Sequence, residues 1–277
     1  MITITSPQNP RIKRISKLND RRARDEARQT VVEGVREITV ALGRGVVPVE
    51  AYLCPELIDG PEAETAARHL RAIAATGMTE LFIVTPDVFA KMAYRGQSGG
   101  LLIVIDYRSL ALDELQFRGA PFLVVIEEAE KPGNLGAVLR TADAAGVDAV
   151  IAPSPADGRG TDLHNPNVIR ASLGAYFTVP TVATSNEQAI AWLRERGIAI
   201  VAATPAAEAL YTESDLTGPL AVVVGSEAWG LSEAWLAAAD RRVRIPMAGS
   251  VDSLNLSASA ALMMYEVVRQ RMRPSGG

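Results

Sequence analysis

Short apolar runs alternate with amphipathic stretches along the whole chain of 277 residues. In the first half, this alternation predicts helices at 34–45, 61–77 and 86–92 and strands at 46–53, 81–85 and 101–105. All of the apolar runs are far shorter than the ~20 residues that a membrane-spanning helix needs. Alternation of this kind is typical of a small layered α/β domain.

The second half continues the alternation with more strands. Strands are predicted at 122–126, 147–151, 177–179, 198–203, 220–224 and 242–245, and helices from 134 onward and at 186–197, 231–239 and 256–272. No G-x-G-x-x-G turn follows a strand and no G-x-x-x-x-G-K-[ST] loop is present, which argues against Rossmann dinucleotide enzymes and P-loop enzymes. We predict an N-terminal domain at 1–107, a linker at 108–120 and a second α/β domain at 121–277.

Two polar loops in the second half each follow a predicted strand. Residues 225–227 (Gly-Ser-Glu) come directly after the strand at 220–224. Residues 245–247 (Ile-Pro-Met) end another strand and are followed closely by 253–255 (Ser-Leu-Asn). In open α/β sheets, ligands bind at the carboxyl ends of the strands. The two loops therefore predict a single binding site at this edge.

Positive charge is concentrated near the N-terminus, although the net charge of the chain is −4. Residues 9–28 carry eight basic side chains and only three acidic ones. The basic residues are Arg11, Lys13, Arg14, Lys17, Arg21, Arg22, Arg24 and Arg28. Apolar side chains three residues apart predict an amphipathic helix with a basic outer face. This face is either an ordinary solvated surface or an arm that binds the phosphates of a nucleic acid.

Cysteine and histidine are scarce. The chain has one cysteine, Cys54, and two histidines, His69 and His164, too few for a disulfide or for a metal site of these residues. A site of carboxylates alone stays open, but we predict no metal. Cys54 is expected to be a small buried residue in a reducing compartment. The N-terminus lacks a basic start followed by an apolar stretch, so we expect no signal peptide and a cytoplasmic location.

One further segment combines a turn with an outward-facing arginine. Pro132 and Gly133 predict the turn, and Asn134 is suited to cap the helix that follows. At ~100° per residue, Arg140 points away from the apolar face of that helix and should be exposed. Because exposed arginines are common, this segment alone does not indicate a function.

Taken together, the motifs resemble the SpoU (TrmH-like) branch of the SPOUT family of RNA methyltransferases. They are 134–140 (Asn-Leu-Gly-Ala-Val-Leu-Arg), 225–227, and 245–247 with 253–255. The stretch 170–175 (Arg-Ala-Ser-Leu-Gly-Ala) also looks like a signature of that family. The resemblance covers about residues 121–270, and its specificity comes from the order and the gaps of all the motifs. The N-terminal half is similar to the small α/β substrate-binding domain of these enzymes, a module akin to RNA-binding ribosomal proteins.

The resemblance implies a fold, a cofactor and an assembly that the residue pattern alone does not show. The second domain would have a parallel sheet and a deep trefoil knot near its C-terminus, a feature nearly absent from other proteins. The knot would bind S-adenosylmethionine through backbone groups at Gly225, Ile245 and Leu254, with Thr204 nearby. Family members act as homodimers, so we expect pairing through the C-terminal domain, with the apolar last helix in the core or at the interface.

The implied chemistry is methyl transfer to a ribose 2′-hydroxyl of RNA, in which the enzyme positions the hydroxyl and removes its proton. The family's arginine at the place of Arg140 is regarded as the base. Since an arginine with a pKa above ~12 is a poor base, we expect Arg140 to clamp a phosphate and stabilise the developing alkoxide. Asn134 would orient Arg140 or the ribose, Glu227 would hold this network, and Ser253 and Asn255 would complete the polar pocket.

Arg170 is expected to contact an RNA phosphate or the partner's active site. The N-terminal arm would bind RNA through Arg11, Lys13, Arg14, Lys17, Arg21 and Arg22. The favoured substrate is 23S ribosomal RNA, with transfer RNA as the alternative. A non-catalytic RNA-binding or assembly protein on the same fold is a second hypothesis. The intact set of five polar site residues argues against it, and the basic arm argues against a small-molecule methyltransferase.

Overall fold

The structure is a computed structural model that describes residues 2–94, 98–129, 131–154, 162–226, 229–250 and 252–272. Its contacts divide the chain into two compact units. The first unit consists of Met1–Arg108 and His164–Phe177, and the second consists of Ser109–Leu163 and Thr178–Gly277. None of the described helices has the length and apolar character needed to cross a membrane.

The regular elements are numbered in chain order. The strands are β1 (Ile2–Ile4), β2 (Gln29–Glu33), β3 (Glu50–Leu53), β4 (Glu80–Val84), β5 (Leu101–Asp106), β6 (Phe122–Ile126), β7 (Ala149–Ser154), β8 (Thr181–Ser185), β9 (Ala199–Ala203), β10 (Ala209–Leu210), β11 (Leu220–Val224) and β12 (Arg241–Arg244). The α-helices are α1 (Pro10–Lys17), α2 (Arg21–Ala27), α3 (Val35–Gly43), α4 (Pro61–Ala75), α5 (Pro86–Met92), α6 (Pro132–Ala145), α7 (Pro166–Ala171), α8 (Asn186–Glu195), α9 (Glu233–Ala238) and α10 (Leu256–Arg271). Short 3-10 turns occupy Pro55–Leu57, Leu112–Glu114 and Ala175–Phe177.

The first unit is built on a mixed five-stranded sheet with the order β1-β4-β3-β5-β2. β4 pairs in parallel with β1 and β3, whereas β5 pairs antiparallel with β3 and β2. All four side chains of β3 are buried, and apolar clusters pack against both faces of the sheet. Burial on both faces explains why these strands read as continuous apolar runs in the sequence.

Cys54 follows β3 and is fully buried, which confirms the expected small core residue. Burial raises the pKa of the Cys54 thiol to about 11, and the nearby Glu56 carboxylate adds to the shift. A thiol with this pKa is almost entirely protonated at neutral pH and is a poor nucleophile. Cys54 therefore packs in the core without chemical reactivity.

The second unit contains a seven-stranded sheet with the order β10-β12-β9-β11-β6-β7-β8. Every pairing in this sheet is parallel, as the family resemblance implies. β11 lies at the centre between β9 and β6, and all five of its side chains are buried. α10 packs against α6 and β11. Of the apolar residues expected in α10, Met263 and Met264 are buried and Leu262 is 40% exposed.

The basic N-terminal segment forms two helices, so the prediction of one continuous helix over 9–28 is wrong. α1 ends at Lys17, and Asp20 begins α2 by accepting a hydrogen bond from the Ala23 backbone N–H at 3.2 Å. An aspartate in this capping position satisfies a backbone donor that a helix leaves unpaired at its start. The cap stabilises a new helix start at the point where the sequence pattern runs on without interruption.

The strand predicted at 177–179 lies elsewhere. Ala175–Phe177 is a 3-10 turn, and the strand is β8, Thr181–Ser185, which pairs with β7. Phe177 instead packs with the core of the first unit, close to the buried Ile169. Strands β1, β2 and β10 have no counterpart among the predicted elements.

The two units differ in two places from the predicted domain boundaries. Residues 109–120, predicted as a linker, belong to the second unit because Leu112, Leu115 and Phe117 pack against its core. The segment His164–Phe177, predicted within the second domain, belongs to the first unit. Its Ile169 side chain is buried in that unit's core, and the His164 carbonyl accepts a hydrogen bond from the Thr30 hydroxyl at 2.7 Å.

Candidate functional site

A cavity of about 230 Å³ lies at the carboxyl ends of β9, β11 and β12. The three strands are neighbours in the sheet, and Ala203 of β9 is level with both Val224 of β11 and Val243 of β12. Their carboxyl ends therefore reach the same edge of the sheet. The loops that leave these ends form most of the cavity wall.

The four residues predicted to contact a cofactor all line the cavity, and so does Ser253. The four are Thr204, Gly225, Ile245 and Leu254. Its lining consists of Ala203, Thr204, Pro205, Val224, Gly225, Ser226, Gly230, Ile245, Met247, Ser253, Leu254, Leu256 and Ser259. Aliphatic side chains make up about half of this set, and hydroxyl groups supply most of the polar ones. A mixed lining of this type suits a ligand that combines an apolar ring system with hydrogen-bonding groups.

Gly225 lies in direct contact with the opposite side of its own loop. A Cβ atom at this position would lie 2.1 Å from the carbonyl carbon of Gly230. The loop is closed by two backbone hydrogen bonds, from Ser226 N–H to Gly230 O at 3.1 Å and from Gly230 N–H to Ser226 O at 3.0 Å. Only glycine allows this closure, because the clash is with backbone that no side-chain rotation relieves.

Replacing Gly225 with alanine is therefore expected to open the loop and to reduce ligand affinity at the cavity by at least about tenfold, about 1.4 kcal/mol. Titration calorimetry with S-adenosylmethionine measures this change directly. Gly249→Ala serves as the matched control, because a Cβ atom at Gly249 meets no atom within 4 Å. Equal affinities of the two variants would contradict the close-contact argument.

A buried carboxylate holds the chain just after the loop at 225–230. Glu127, the residue after β6, is 2% exposed. Its carboxylate accepts hydrogen bonds from the Asn186 amide at 2.8 Å and from the Ser232 backbone N–H at 2.8 Å. The Asn186 carbonyl oxygen in turn accepts from the indole N–H of Trp235 at 2.9 Å. This network joins the end of β6 to the starts of α8 and α9.

The starts of α6 and α10 meet through their asparagines. α6 begins at Pro132 after Lys131, so Asn134 lies in its first turn and the prediction that Asn134 caps the helix is wrong. Asn255 caps α10, with its side-chain oxygen accepting from the Ser257 and Ala258 backbone N–H groups. The Asn255 amide also donates to the Asn134 side-chain oxygen at 3.3 Å. These two predicted site residues are thus in contact, beside the cavity wall at Leu254 and Leu256.

Arg140 is exposed on α6, as its position away from the apolar face predicts. It lies six residues after Asn134, which corresponds to ~9 Å along the helix axis. Within the described residues, no hydrogen bond or ion pair engages its guanidinium group, and it does not line the cavity. Glu227 lies outside the described residues.

Arg170 belongs to the first unit, on α7. Its guanidinium group lies 3.9 Å from the Glu33 carboxylate, donates to the Asn167 side chain at 3.1 Å and stands over the Tyr94 ring. Glu33 is itself buried. The structure therefore groups Arg170 with the first unit, and Arg170 is not among the residues that line the cavity.

The basic side chains of the N-terminal arm fall into two groups. Arg11 and Arg14 both form ion pairs with the buried carboxylate of Glu50, Arg14 at 2.6 Å, and Arg24 is buried and donates to the Leu18 carbonyl. Lys13 and Lys17 are exposed one turn apart on α1. The exposed Arg21 and Arg22 form i,i+4 pairs with Asp25 and Glu26. Pairs of this exposed type contribute only ~0.3–0.5 kcal/mol to stability.

Several residues of the site were not predicted from the sequence. Pro205, Gly230 and Ser259 line the cavity, and Glu127 supports its loop. Glu127 carried one usable signal, since it directly follows an apolar strand, as Gly225 does. Its partners lie 59 and 105 residues further along the chain, so the sequence contained no sign of its hydrogen bonds.

Comparison with known proteins identifies the family. A model of the SpoU rRNA Methylase family matches residues 121–265, more than half of the chain, and includes every residue that lines the cavity. The chain belongs to the SpoU rRNA methylase family. A second family model, the MRM3-like substrate binding domain, matches residues 9–102. The second match falls within the first unit.

Individual relatives of this SpoU family member match along most of their length. The 23S rRNA (uridine(2479)-2′-O)-methyltransferase of Streptomyces viridochromogenes is 30% identical over 262 residues, which cover 92% of this chain and 88% of the relative. The 23S rRNA (guanosine-2′-O-)-methyltransferase RlmB of Shewanella oneidensis is 34% identical over 241 residues, which cover 82% of this chain and 96% of the relative. The AdoMet-bound rRNA methyltransferase of Sinorhizobium meliloti has a similar structure, with a TM-score of 0.85, 28% identity and coverage of 98% of both chains.

Proposed function

We propose that this SpoU family protein transfers a methyl group from S-adenosylmethionine to the 2′-hydroxyl of a ribose in ribosomal RNA. The observation that carries the proposal is the cavity at the carboxyl ends of β9, β11 and β12. Thr204, Gly225, Ile245 and Leu254, which the family resemblance assigns to the cofactor, all line that single cavity. Two relatives are named as 23S rRNA 2′-O-methyltransferases, which favours ribosomal RNA over transfer RNA.

The cavity fits S-adenosylmethionine on chemical grounds. Ile245, Leu254 and Leu256 offer apolar surface for the adenine ring, while Thr204 and Ser226 add hydroxyl-bearing side chains to the lining. The close approach of Gly225 to Gly230 leaves backbone groups, instead of side chains, facing the cavity. When bound, the cofactor supplies an electrophilic methyl group on a sulfonium centre.

The protein's own contribution is to place the ribose and to handle the charge that develops on its oxygen. Arg140 binds the adjacent phosphate with its planar guanidinium group and stabilises the alkoxide. Asn134 and Asn255 orient the ribose hydroxyl, and their mutual hydrogen bond fixes both amides. Ser253 adds a hydroxyl group at the cavity wall. Glu227 is assigned to this network by the family motif.

The N-terminal arm attracts the RNA through its exposed cations. Because Arg11 and Arg14 are engaged by Glu50, phosphate binding is assigned mainly to the exposed Lys13, Lys17, Arg21 and Arg22. Arg170 contributes a further positive charge on the first unit. The family model that matches 9–102 describes a substrate-binding domain, which agrees with this role.

Removing Lys13 and Lys17 together is expected to weaken RNA binding and to lower its salt dependence. Each lost phosphate contact reduces the slope of log K against log salt concentration by ~0.7–0.9, so the double alanine variant should lose about 1.5. Binding titrations at several salt concentrations measure the slope. An Arg68→Ala/Arg71→Ala variant removes the same charge from exposed positions on α4 and should lose less. Equal losses in the two variants would show that only net charge matters.

The proposal includes three features that the family resemblance implies. The second unit contains a deep trefoil knot, the first resembles ribosomal-protein modules, and two copies pair through the C-terminal domain. The return of α10 against α6 and β11, after the chain has passed through β9, β11 and β12, supports the knot. Exposed apolar side chains on α10, such as Leu262 and Tyr265, support the pairing. A ribosomal RNA substrate is consistent with a cytoplasmic location of the protein.

The deciding experiment is transfer of labelled methyl from S-adenosylmethionine to ribosomal RNA that lacks the modification. Label that survives alkaline hydrolysis as a resistant dinucleotide at one position establishes ribose 2′-O-methylation. Label on transfer RNA alone would move that substrate to first place. Absence of both transfer and cofactor binding, in protein that still binds RNA, would favour the non-catalytic assembly role.

A further inference from the structure

Trp229 is almost fully in contact with solvent, although it is one of the largest apolar side chains in the protein. It is 84% exposed, whereas the chain's two other tryptophans, Trp192 and Trp235, are 5% and 0% exposed. In this conformation Trp229 contributes little to the stability of the second unit. Tryptophan combines a large flat surface with a polar N–H and is enriched where proteins bind other molecules.

The backbone of Trp229 is held firmly in place. Its N–H donates to the Ser226 hydroxyl at 3.2 Å, and the next residue, Gly230, forms the two reciprocal hydrogen bonds with Ser226. Ser226 is itself buried. The tryptophan therefore projects from a closed turn, and the cost of ordering its backbone has been met before any ligand arrives.

The turn that carries Trp229 is also part of the cavity wall. Gly225, Ser226 and Gly230 all line the cavity, and Trp229 comes three positions after Ser226 and directly before Gly230 in the chain. A ribose whose 2′-hydroxyl reacts at this cavity must approach to within ~3–3.5 Å of the reacting carbon. Its own base and the bases on either side must then lie close to the mouth of the cavity.

We propose that Trp229 is a stacking platform for an unpaired RNA base next to the ribose that is methylated. The inference rests on the proposed function and deepens it by naming a residue that selects the form of the substrate. Proteins recognise single-stranded RNA by stacking bases on aromatic side chains, and the flat face of a base matches the indole ring. Trp229 thus favours a loop or bulge over a continuous helix, because paired bases are already stacked on each other.

The first test compares Trp229→Ala, Trp229→Phe and wild type in methyl transfer. Loss of one base stack is expected to raise KM for RNA by about 5- to 150-fold, with partial recovery in the phenylalanine variant. The dissociation constant for S-adenosylmethionine should change less than twofold, which shows that the turn is intact. Met78→Ala, which removes a 58% exposed apolar side chain from the first unit, is the matched control and should retain the wild-type KM.

The second test uses tryptophan fluorescence, since Trp192 and Trp235 are buried and Trp229 is the exposed emitter. Adding unmodified RNA to wild type should quench the exposed emission, and Trp229→Phe should abolish that quenching. An unchanged KM in Trp229→Ala, or equal quenching in Trp229→Phe, overturns the inference. So does a shift of Trp229→Ala from dimer to monomer in sedimentation, which would identify a second copy as the occupant. Failure of wild type to methylate any RNA would instead overturn the proposed function.

Discussion

Replacing Arg140 with alanine is expected to lower the rate of methyl transfer by at least about 10²–10³-fold, the loss measured when a single donor to a developing oxyanion is removed. Cofactor affinity and stability should stay at wild-type values. Arg140 is exposed and lies outside the cavity lining, and no described residue forms a hydrogen bond or ion pair with it. Single-turnover rates with saturating RNA and S-adenosylmethionine measure the effect.

The Arg140→Lys variant tests whether the positive charge alone is enough or the planar guanidinium group is also needed. Arg140→Lys keeps the positive charge but loses the planar fork that binds a phosphate at two points, so we expect it to recover only part of the rate. Arg194→Ala removes an exposed arginine from α8 of the same unit and serves as the control, with an unchanged rate. A wild-type rate in Arg140→Ala would refute both roles of this residue, as a phosphate clamp and as the general base.

The largest expected effect on stability comes from Glu127→Ala. The substitution leaves one buried donor, the Asn186 amide, and one partly buried donor, the Ser232 N–H, without their acceptor. At ~1–3 kcal/mol for each unsatisfied donor, the free energy of unfolding of the second unit should fall by about 2–6 kcal/mol. All three tryptophans lie in the second unit, so urea unfolding followed by tryptophan fluorescence reports on that unit.

Glutamine at position 127 is an informative comparison. Asn186 cannot rotate its amide to suit a new partner, because its oxygen accepts from Trp235. Glu127→Gln therefore keeps one acceptor but places an N–H₂ group opposite the other donor, and we expect an intermediate loss. Glu195→Ala, with a side chain that is 80% exposed, should change stability by less than about 0.5 kcal/mol. Equal unfolding midpoints for Glu127→Ala and Glu195→Ala would contradict the assigned network.

Glu127 also links stability to the site. Its acceptor bond to Ser232 holds the loop that begins at Gly225 and contains Trp229. Loosening this loop should weaken cofactor binding in Glu127→Ala as well, although Glu127 does not line the cavity. If Glu127→Ala lowers stability but leaves cofactor affinity unchanged, Glu127 stabilises the core of the second unit and has no effect on the site.

Much of the cavity could be predicted from the sequence because its residues follow apolar strands. Gly225 and Ile245 come directly after β11 and β12, and parallel strands bring their carboxyl ends to one edge, whereas Thr204 was expected only from the family resemblance. The outward direction of Arg140 followed from the helical repeat in the same way. Both predictions depend on chain neighbours or on the period of one element, which are local properties.

The division of the basic arm could not be predicted in this way. Arg11, Lys13, Arg14 and Lys17 look equivalent in sequence, yet Arg11 and Arg14 are held by Glu50, 39 and 36 residues further along the chain. The same limit applies to the break between α1 and α2, where a single capping aspartate outweighs a pattern that continues.

The sequence by itself determined that the chain is an α/β protein, where most strands end and which two loops form much of the cavity wall. Only the tertiary structure decided that His164–Phe177 packs with the first unit, that β9 lies between β11 and β12, and that Glu127 reaches Ser232. The physical reason is range. Helix and strand patterns arise from residues a few positions apart, whereas buried ion pairs and hydrogen bonds join residues that only the folded chain brings together.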